Sequence, residues 1–198
     1  SVLHFAGLKS IEESNNSPKE YFKNNIEGTN NLLKAMEHSN CTKFIFTSSA
    51  TVYGSPKNLP IDETHECNPI NPYGISKKFA EKLVQEWTIK NKSNGSVILR
   101  CFNPIGAHSS HLLGEIPKKK ANNLIPIIAD VILGYSKILR IYGNNFNTRD
   151  GTCERDFVCV NDIANAHVKA LEYSLKNNKC EIINIGSGKN TSVMDIVN

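Results

Sequence analysis

Lys43-Phe44-Ile45-Phe46-Thr47-Ser48-Ser49 is a short, nearly continuous apolar run that ends in hydroxyls. A run of this length reads as a strand of a parallel sheet covered on both faces. Two more such runs flank it, Val2-Leu3-His4-Phe5-Ala6 and Val97-Ile98-Leu99-Arg100-Cys101-Phe102. Between the first pair, Ser17-Pro18-Lys19-Glu20 combines an N-cap, a proline at the first helical position and a capping-box glutamate. The helix predicted from there runs to about Met36, with Phe22, Ile26, Leu33 and Met36 near helical spacing. Between the second pair, the helix that contains Tyr73 carries an apolar stripe of Ala80, Leu83, Val84 and Trp87, opposite Lys78, Glu81, Lys82, Gln85 and Glu86. Strand, helix, strand, helix, strand means parallel βαβ units, hence an α/β fold with a doubly wound parallel sheet.

Beyond Asn103-Pro104 the pattern predicts a helix over 124–133 closed by Gly134. Strand-like runs follow at 138–142, 157–160 and 182–185, and a helix is expected over 162–175 with Asp162 as N-cap. A dinucleotide fold opens on a strand, a glycine-rich turn and a helix, and no such turn occurs in the sequence. The expectation is therefore an internal fragment, Rossmann-like but lacking its first βαβ units, with part of a smaller α/β domain.

Composition excludes several classes. Charged residues make up 21% and the formal charge is only +4, with Lys118-Lys119-Lys120 as its densest cluster, too short for a nucleic-acid stripe. No apolar run reaches transmembrane length, and no signal peptide is evident. The six cysteines include no Cys-x-x-Cys pair and several lie in predicted strands, so reduced thiols and a cytoplasmic location are expected. Gly186-Ser187-Gly188-Lys189-Asn190-Thr191 is not a P-loop, since Ile183 stands where glycine is needed and Asn190 follows the lysine. It reads as a tight strand-to-helix turn. His108 and His111 have no third ligand nearby, so no metal site is expected.

The chemistry lies in Asn71-Pro72-Tyr73-Gly74-Ile75-Ser76-Lys77. A phenol with a pKa near ~10 is a poor base at neutral pH. An ammonium four residues on shares its helix face and is expected to lower that pKa. Lys77 falls only about 20° from Val84 on the helical wheel, at the edge of the buried stripe, where an ammonium needs a partner or a task. With Ser49 at a nearby strand end, the set suits proton removal from a sugar or alcohol hydroxyl coupled to hydride transfer.

The motifs together resemble the UDP-glucose 4-epimerase family of the extended short-chain dehydrogenase/reductase superfamily. They are His4-Phe5-Ala6-Gly7-Leu8-Lys9, Asn24-Asn25-Ile26-Glu27-Gly28-Thr29, Thr47-Ser48-Ser49-Ala50-Thr51-Val52-Tyr53-Gly54, Pro72-Tyr73-Gly74-Ile75-Ser76-Lys77, Phe102-Asn103-Pro104-Ile105-Gly106, Asn122-Asn123-Leu124-Ile125-Pro126 and Arg155-Asp156-Phe157. The resemblance implies Tyr73 as base, Lys77 as its partner and a ligand of the nicotinamide ribose, and Ser49 as proton-handling hydroxyl. It implies NAD contacts from Phe5, Ala6, Gly7, Leu8, Lys9, Asn24, Ser49, Tyr73, Lys77 and Phe102. A UDP-hexose substrate would meet Ser49, Tyr73, Asn103, Asn123, Leu124, Arg140, Tyr142 and Arg155. It further implies a homodimer, an NAD-binding part over 1–103, a substrate-binding part over 104–156, a return over 157–180 and a substrate-domain segment over 181–198.

Nucleotide-sugar 4,6-dehydratases share the Tyr/Lys pair but carry Asp-Glu where this sequence has Ala50 and Thr51. Without those carboxylates, elimination of water has no evident catalyst, and the resemblance favours epimerisation at C4 through a 4-keto intermediate. Cys101, Glu12, Cys159, Arg149 and Lys118-Lys119-Lys120 depart from the family pattern. The alternatives are an epimerase or decarboxylase acting on another nucleotide sugar, and a non-catalytic NAD-binding homologue. The isolated fragment is expected to be inactive.

Overall fold

The computed structural model describes residues 1–115 and 123–198. Ile116 to Asn122, including Lys118, Lys119, Lys120 and the Asn122 of the Asn-Asn motif, lie outside the described residues. Two compact units emerge, one of Ser1–Phe102 with Ala164–Ile185, the other of Asn103–Ile163 with Gly186–Asn198. The strand at 182–185 completes the sheet of the first unit.

That sheet is four-stranded and parallel, in the order β1 (Val2–His4), β2 (Lys43–Ser49), β3 (Gly95–Cys101), β6 (Cys180–Ile185). Alternation along β2 divides its side chains between two faces. Phe44 and Phe46 join Ile98 in a core with Leu33 and Met36 of α3 (Gly28–His38) and Ala80, Val84 and Trp87 of α4 (Pro72–Lys90). Thr47 points the other way, to His167 on α6 (Val160–Lys176). Helices therefore cover both faces, as a doubly wound sheet requires.

The helix expected up to Met36 is more complex than its sequence pattern. A short α1 (Ile11–Asn16) precedes it, capped by the Ser10 hydroxyl. Pro18 does begin α2 (Pro18–Tyr21), but Ser17 makes no side-chain cap, and its backbone N–H closes onto Glu13 at the junction with α1. Phe22–Glu27 then winds as a π-helix before α3 resumes α geometry.

Glu81 corrects the reading of α4. It is 3% exposed and grips Arg100 of β3, itself 4% exposed, through two oxygens, with Arg100 Nη2 at 2.7 Å from Oε2. The Ser48 hydroxyl donates to the same carboxylate. Arg100 Nη1 donates to the Tyr53 hydroxyl at 2.9 Å, which donates to Asn184 Oδ1 at 2.7 Å. Burial opposes the Arg100 charge, but Glu81 and Tyr53 outweigh it and hold its pKa above the usual value.

The second unit carries a sheet in the order β4 (Asn103–Ile105), β5 (Glu154–Cys159), β7 (Asn190–Ser192), with β4 and β5 parallel and β7 antiparallel to β5. The helix expected over 124–133 is α5 (Leu124–Ile132), followed by Gly134 at φ 77°. Residues 138–142 form no strand. Ile138 and Tyr142 are exposed, and an apolar run with no ladder to join is not a strand. Asp162 is not an N-cap, since α6 begins two residues earlier. The 186–191 turn leads not into a helix but into β7, and the capping box that closes onto α7 (Val193–Val197) belongs to Ser192 and Asp195. No helix among the described residues is long and apolar enough to cross a membrane.

Removing one partner of a buried ion pair strands the other charge. Glu81→Ala is expected to lower unfolding free energy by about 3–5 kcal/mol, whereas Glu81→Leu with Arg100→Met loses far less. Urea unfolding measures both. A single-variant loss below about 1 kcal/mol, the range of exposed pairs, would show that the pair is solvated.

Candidate functional site

One face of α4 brings the sequence-singled residues to the carboxyl ends of the strands. Asn71 caps the helix by accepting from Gly74 N–H at 2.8 Å, and Pro72 opens it. A Cβ on Gly74 would lie 2.7 Å from the Thr51 carbonyl and 2.9 Å from Pro69 Cβ, so glycine lets the helix start press against the turn after β2. Ser49 ends β2, and its hydroxyl meets Thr51 Oγ1 at 2.6 Å. It is also the hydrogen-bond partner that draws the Tyr73 pKa down.

That pull does not prevail. Burial raises the Tyr73 pKa above the ordinary phenol value, and Cys101 and Tyr21 add to the rise. The Tyr21 ring stands edge-on to Tyr73 at 6.5 Å. The sequence expectation that Lys77 lowers this pKa meets a lysine whose ammonium is committed to β2. Lys77 Nζ donates to the Thr47 carbonyl at 2.8 Å and sits 4.8 Å from the centre of the Phe46 ring. Only 6% exposed, the lysine has its pKa lowered to about 8 by burial, with Cys101 and Glu81 pulling the other way. Burial likewise lifts the Cys101 thiol to about 11.

The loop after β1 is stapled beside this lysine. Asn25, buried on the π-helical stretch, accepts from Leu8 N–H at 2.9 Å and donates to the Leu8 carbonyl and the Ser76 hydroxyl, each at 3.0 Å. A Cβ on Gly7 would come within 3.2 Å of Asn25 Oδ1 and 3.6 Å of Lys77 Nζ. Phe5, Ala6 and Lys9 are exposed and Leu8 half-buried. Asn24 is also exposed, one residue from the asparagine that does the stapling. Phe102 is half-buried, its N–H bound to the Ile185 carbonyl.

In the second unit, Asn103 and Arg155 lie on adjoining strands. Asn103 pairs in register with Phe157 and donates its amide to the Asp156 carbonyl at 2.9 Å. Arg155 is exposed. The Asp156 carboxylate accepts from Ser187 N–H and Oγ, both at 2.7 Å, and from Gly188 N–H at 2.9 Å, so the 186–189 turn wraps around it. Asn123 precedes α5 and donates to Glu115 at 3.3 Å, and Leu124 begins that helix. Arg140 and Tyr142 are exposed in irregular chain. No hydrogen bond among the described residues joins Asn123, Arg140 or Tyr142 to Asn103 or Arg155.

Residues 1–186 match the NAD dependent epimerase/dehydratase family. The chain belongs to that family. The UDP-glucose 4-epimerase of Dictyostelium discoideum is 45% identical across 100% of this chain, which spans 58% of that relative's length. The Stenotrophomonas maltophila UDP-glucose 4-epimerase with bound NAD and formylated UDP-arabinopyranose superimposes with a TM-score of 0.94 at 39% identity, covering 98% of this chain and 58% of that one. The Bifidobacterium longum UDP-glucose 4-epimerase in complex with NAD+ and UDP gives 0.93 at 44% identity, again covering 98% and 58%.

The family's cofactor fits the residues present in the first unit. A buried ammonium has three donors, and Lys77 uses one, on Thr47. Gly7 leaves the approach to it free of a side chain, and Phe5 shows an aromatic face at the next strand end. Among the described residues no group of three His, Cys, Asp or Glu is placed to hold a metal ion. No spacing rule singles out Asn25 or His167 as contacts of this face, whereas the helical angle of Glu81 places it near the buried stripe.

Lys77 has a folded pKa below its unfolded one, so the unfolded state binds more protons between about pH 8 and 10.5, and stability rises with pH there. Lys77→Met is therefore expected to stabilise the protein at pH 7 by about 1–3 kcal/mol, a gain that fades as pH approaches 10. Urea unfolding at the two pH values checks it. A variant less stable than wild type at pH 7 would show that the Thr47 and Phe46 contacts outweigh desolvation.

Proposed function

We propose that the protein interconverts UDP-glucose and UDP-galactose by inverting C4 of the hexose through a 4-keto intermediate, with NAD as its resident cofactor. The observation that carries this reading is the convergence of Ser49, Tyr73 and Lys77 at the carboxyl ends of β1 to β3, with Lys77 Nζ bound to the Thr47 carbonyl of the strand that Ser49 ends. When bound, NAD supplies a hydride acceptor and donor. Phe5, Gly7 and the remaining donors of Lys77 would hold it, together with Ala6, Leu8, Lys9, Asn24 and Phe102.

The chain's own part is proton handling and grip. Tyr73 takes the proton of the 4-hydroxyl, with Ser49 holding the oxygen, and returns a proton to C4–O after the keto sugar has turned over. Ala50 and Thr51 offer no carboxylate for elimination, so the keto sugar keeps its remaining hydroxyls. Asn103, Asn123, Leu124, Arg140 and Tyr142 would contact the nucleotide sugar. The Arg155 guanidinium suits pyrophosphate by its planar fork, and the exposed Tyr142 ring is available to stack on uracil. A homodimer belongs to the same reading, as does a cytoplasmic location, to which six free thiols are suited.

Full-length protein given UDP-galactose is expected to yield UDP-glucose without net NADH. Tyr73→Phe should lower kcat by about 100-fold or more, the scale of a lost general base. Undiminished turnover in that variant, or no conversion by folded, NAD-loaded wild type, would refute the assignment.

A further inference from the structure

One buried side chain touches both strand ends that flank the lysine. His167 of α6 is 1% exposed. Its ring centre stands 4.4 Å from that of Phe5, tilted by 30°, and its Nε2 lies 2.8 Å from Thr47 Oγ1. Thr47 in turn offers its carbonyl to Lys77 Nζ. Phe5 is 58% exposed and follows a three-residue strand, and the His167 ring packs against it. A histidine filling a core would account for the burial alone. It would not account for contacts to the exposed aromatic at the end of β1 and to the residue that carries the lysine's acceptor.

We propose that His167 is a positioning residue of the cofactor site. It backs one face of Phe5, leaving the other as a platform for a planar ligand, while its hydrogen bond to Thr47 fixes the imidazole in that place. Imidazole suits both tasks because it joins a flat ring to a hydrogen-bonding nitrogen. Phenylalanine keeps the ring, and glutamine keeps only the polar reach. The inference rests on the NAD reading above.

The test is NADH binding, read by nicotinamide fluorescence in the full-length protein, for wild type, His167→Gln, Phe5→Ala and the double variant. His167→Gln is expected to raise the NADH Kd about fivefold when Phe5 is present, on the scale of a lost aromatic pair. In the Phe5→Ala background the same change should move Kd less than about twofold, since a residue acting through Phe5 has nothing left to position. His167→Phe should restore Kd to within about twofold of wild type. His167→Asn replaces the glutamine variant if the latter does not fold. Equal losses in both backgrounds, an unchanged Kd in His167→Gln or no rescue by phenylalanine would overturn the proposal. Folded wild type that binds no NADH would instead bring down the cofactor reading itself.

Discussion

The ion pair between Glu81 and Arg100 fixes where everything on α4 points. It is bidentate and buried, and it joins the middle of the helix to the most buried strand of the sheet. Below it, Val84, Trp87 and Thr88 pack at the amino ends of the strands, and above it lie Lys77 and Tyr73. A helix held only by apolar contacts can slide or rotate at little expense, because dispersion and burial lack direction. A guanidinium fork on a carboxylate has direction and one good geometry. The pair also recruits Ser48, Tyr53 and Asn184, so the turn after β2 and the edge strand β6 are referred to the same point.

From that anchor the lysine is presented in an environment that does not favour it. Burial has taken its water, and a single carbonyl and the face of Phe46 replace only part of it. The fold therefore holds a site whose electrostatics improve when hydroxyl or other acceptor groups arrive. Strain of this sort persists only where the surroundings leave no alternative. Here Asn25 supplies that restraint, by tying the loop after β1 to α4 at Ser76.

Much of this was legible in the residues. Three apolar runs gave three of the four strands of the parallel sheet, and the angle between Lys77 and Val84 gave the burial of that lysine. Glu81 was misread because its type, not its angle, placed it among the solvated charges. On the wheel it stands only about 60° from Val84, well within the buried side. Arg100 sat in plain view inside an apolar strand, and a charge there calls for a counter-charge on the covering helix. The exposed run at 138–142 misled in the opposite sense, since hydrophobicity signals burial or pairing without saying that either occurs. Asn25 and His167 were invisible because their partners are 17 and 120 residues away in sequence.

The π-helical stretch Phe22–Glu27 has a consequence for how this region can change over generations. Such a turn accommodates one residue more than the α-helix on either side would allow. Asn25 faces the loop and α4, while Thr29, Leu33 and Met36 are buried on the helix that follows. Dropping a residue would restore regular winding and turn one set by about 100° relative to the other, exposing either the amide or the core. The spacing between them is in effect an integer that cannot drift. Lineages sharing this architecture can exchange the exposed residues of this stretch, but insertions and deletions should be filtered out.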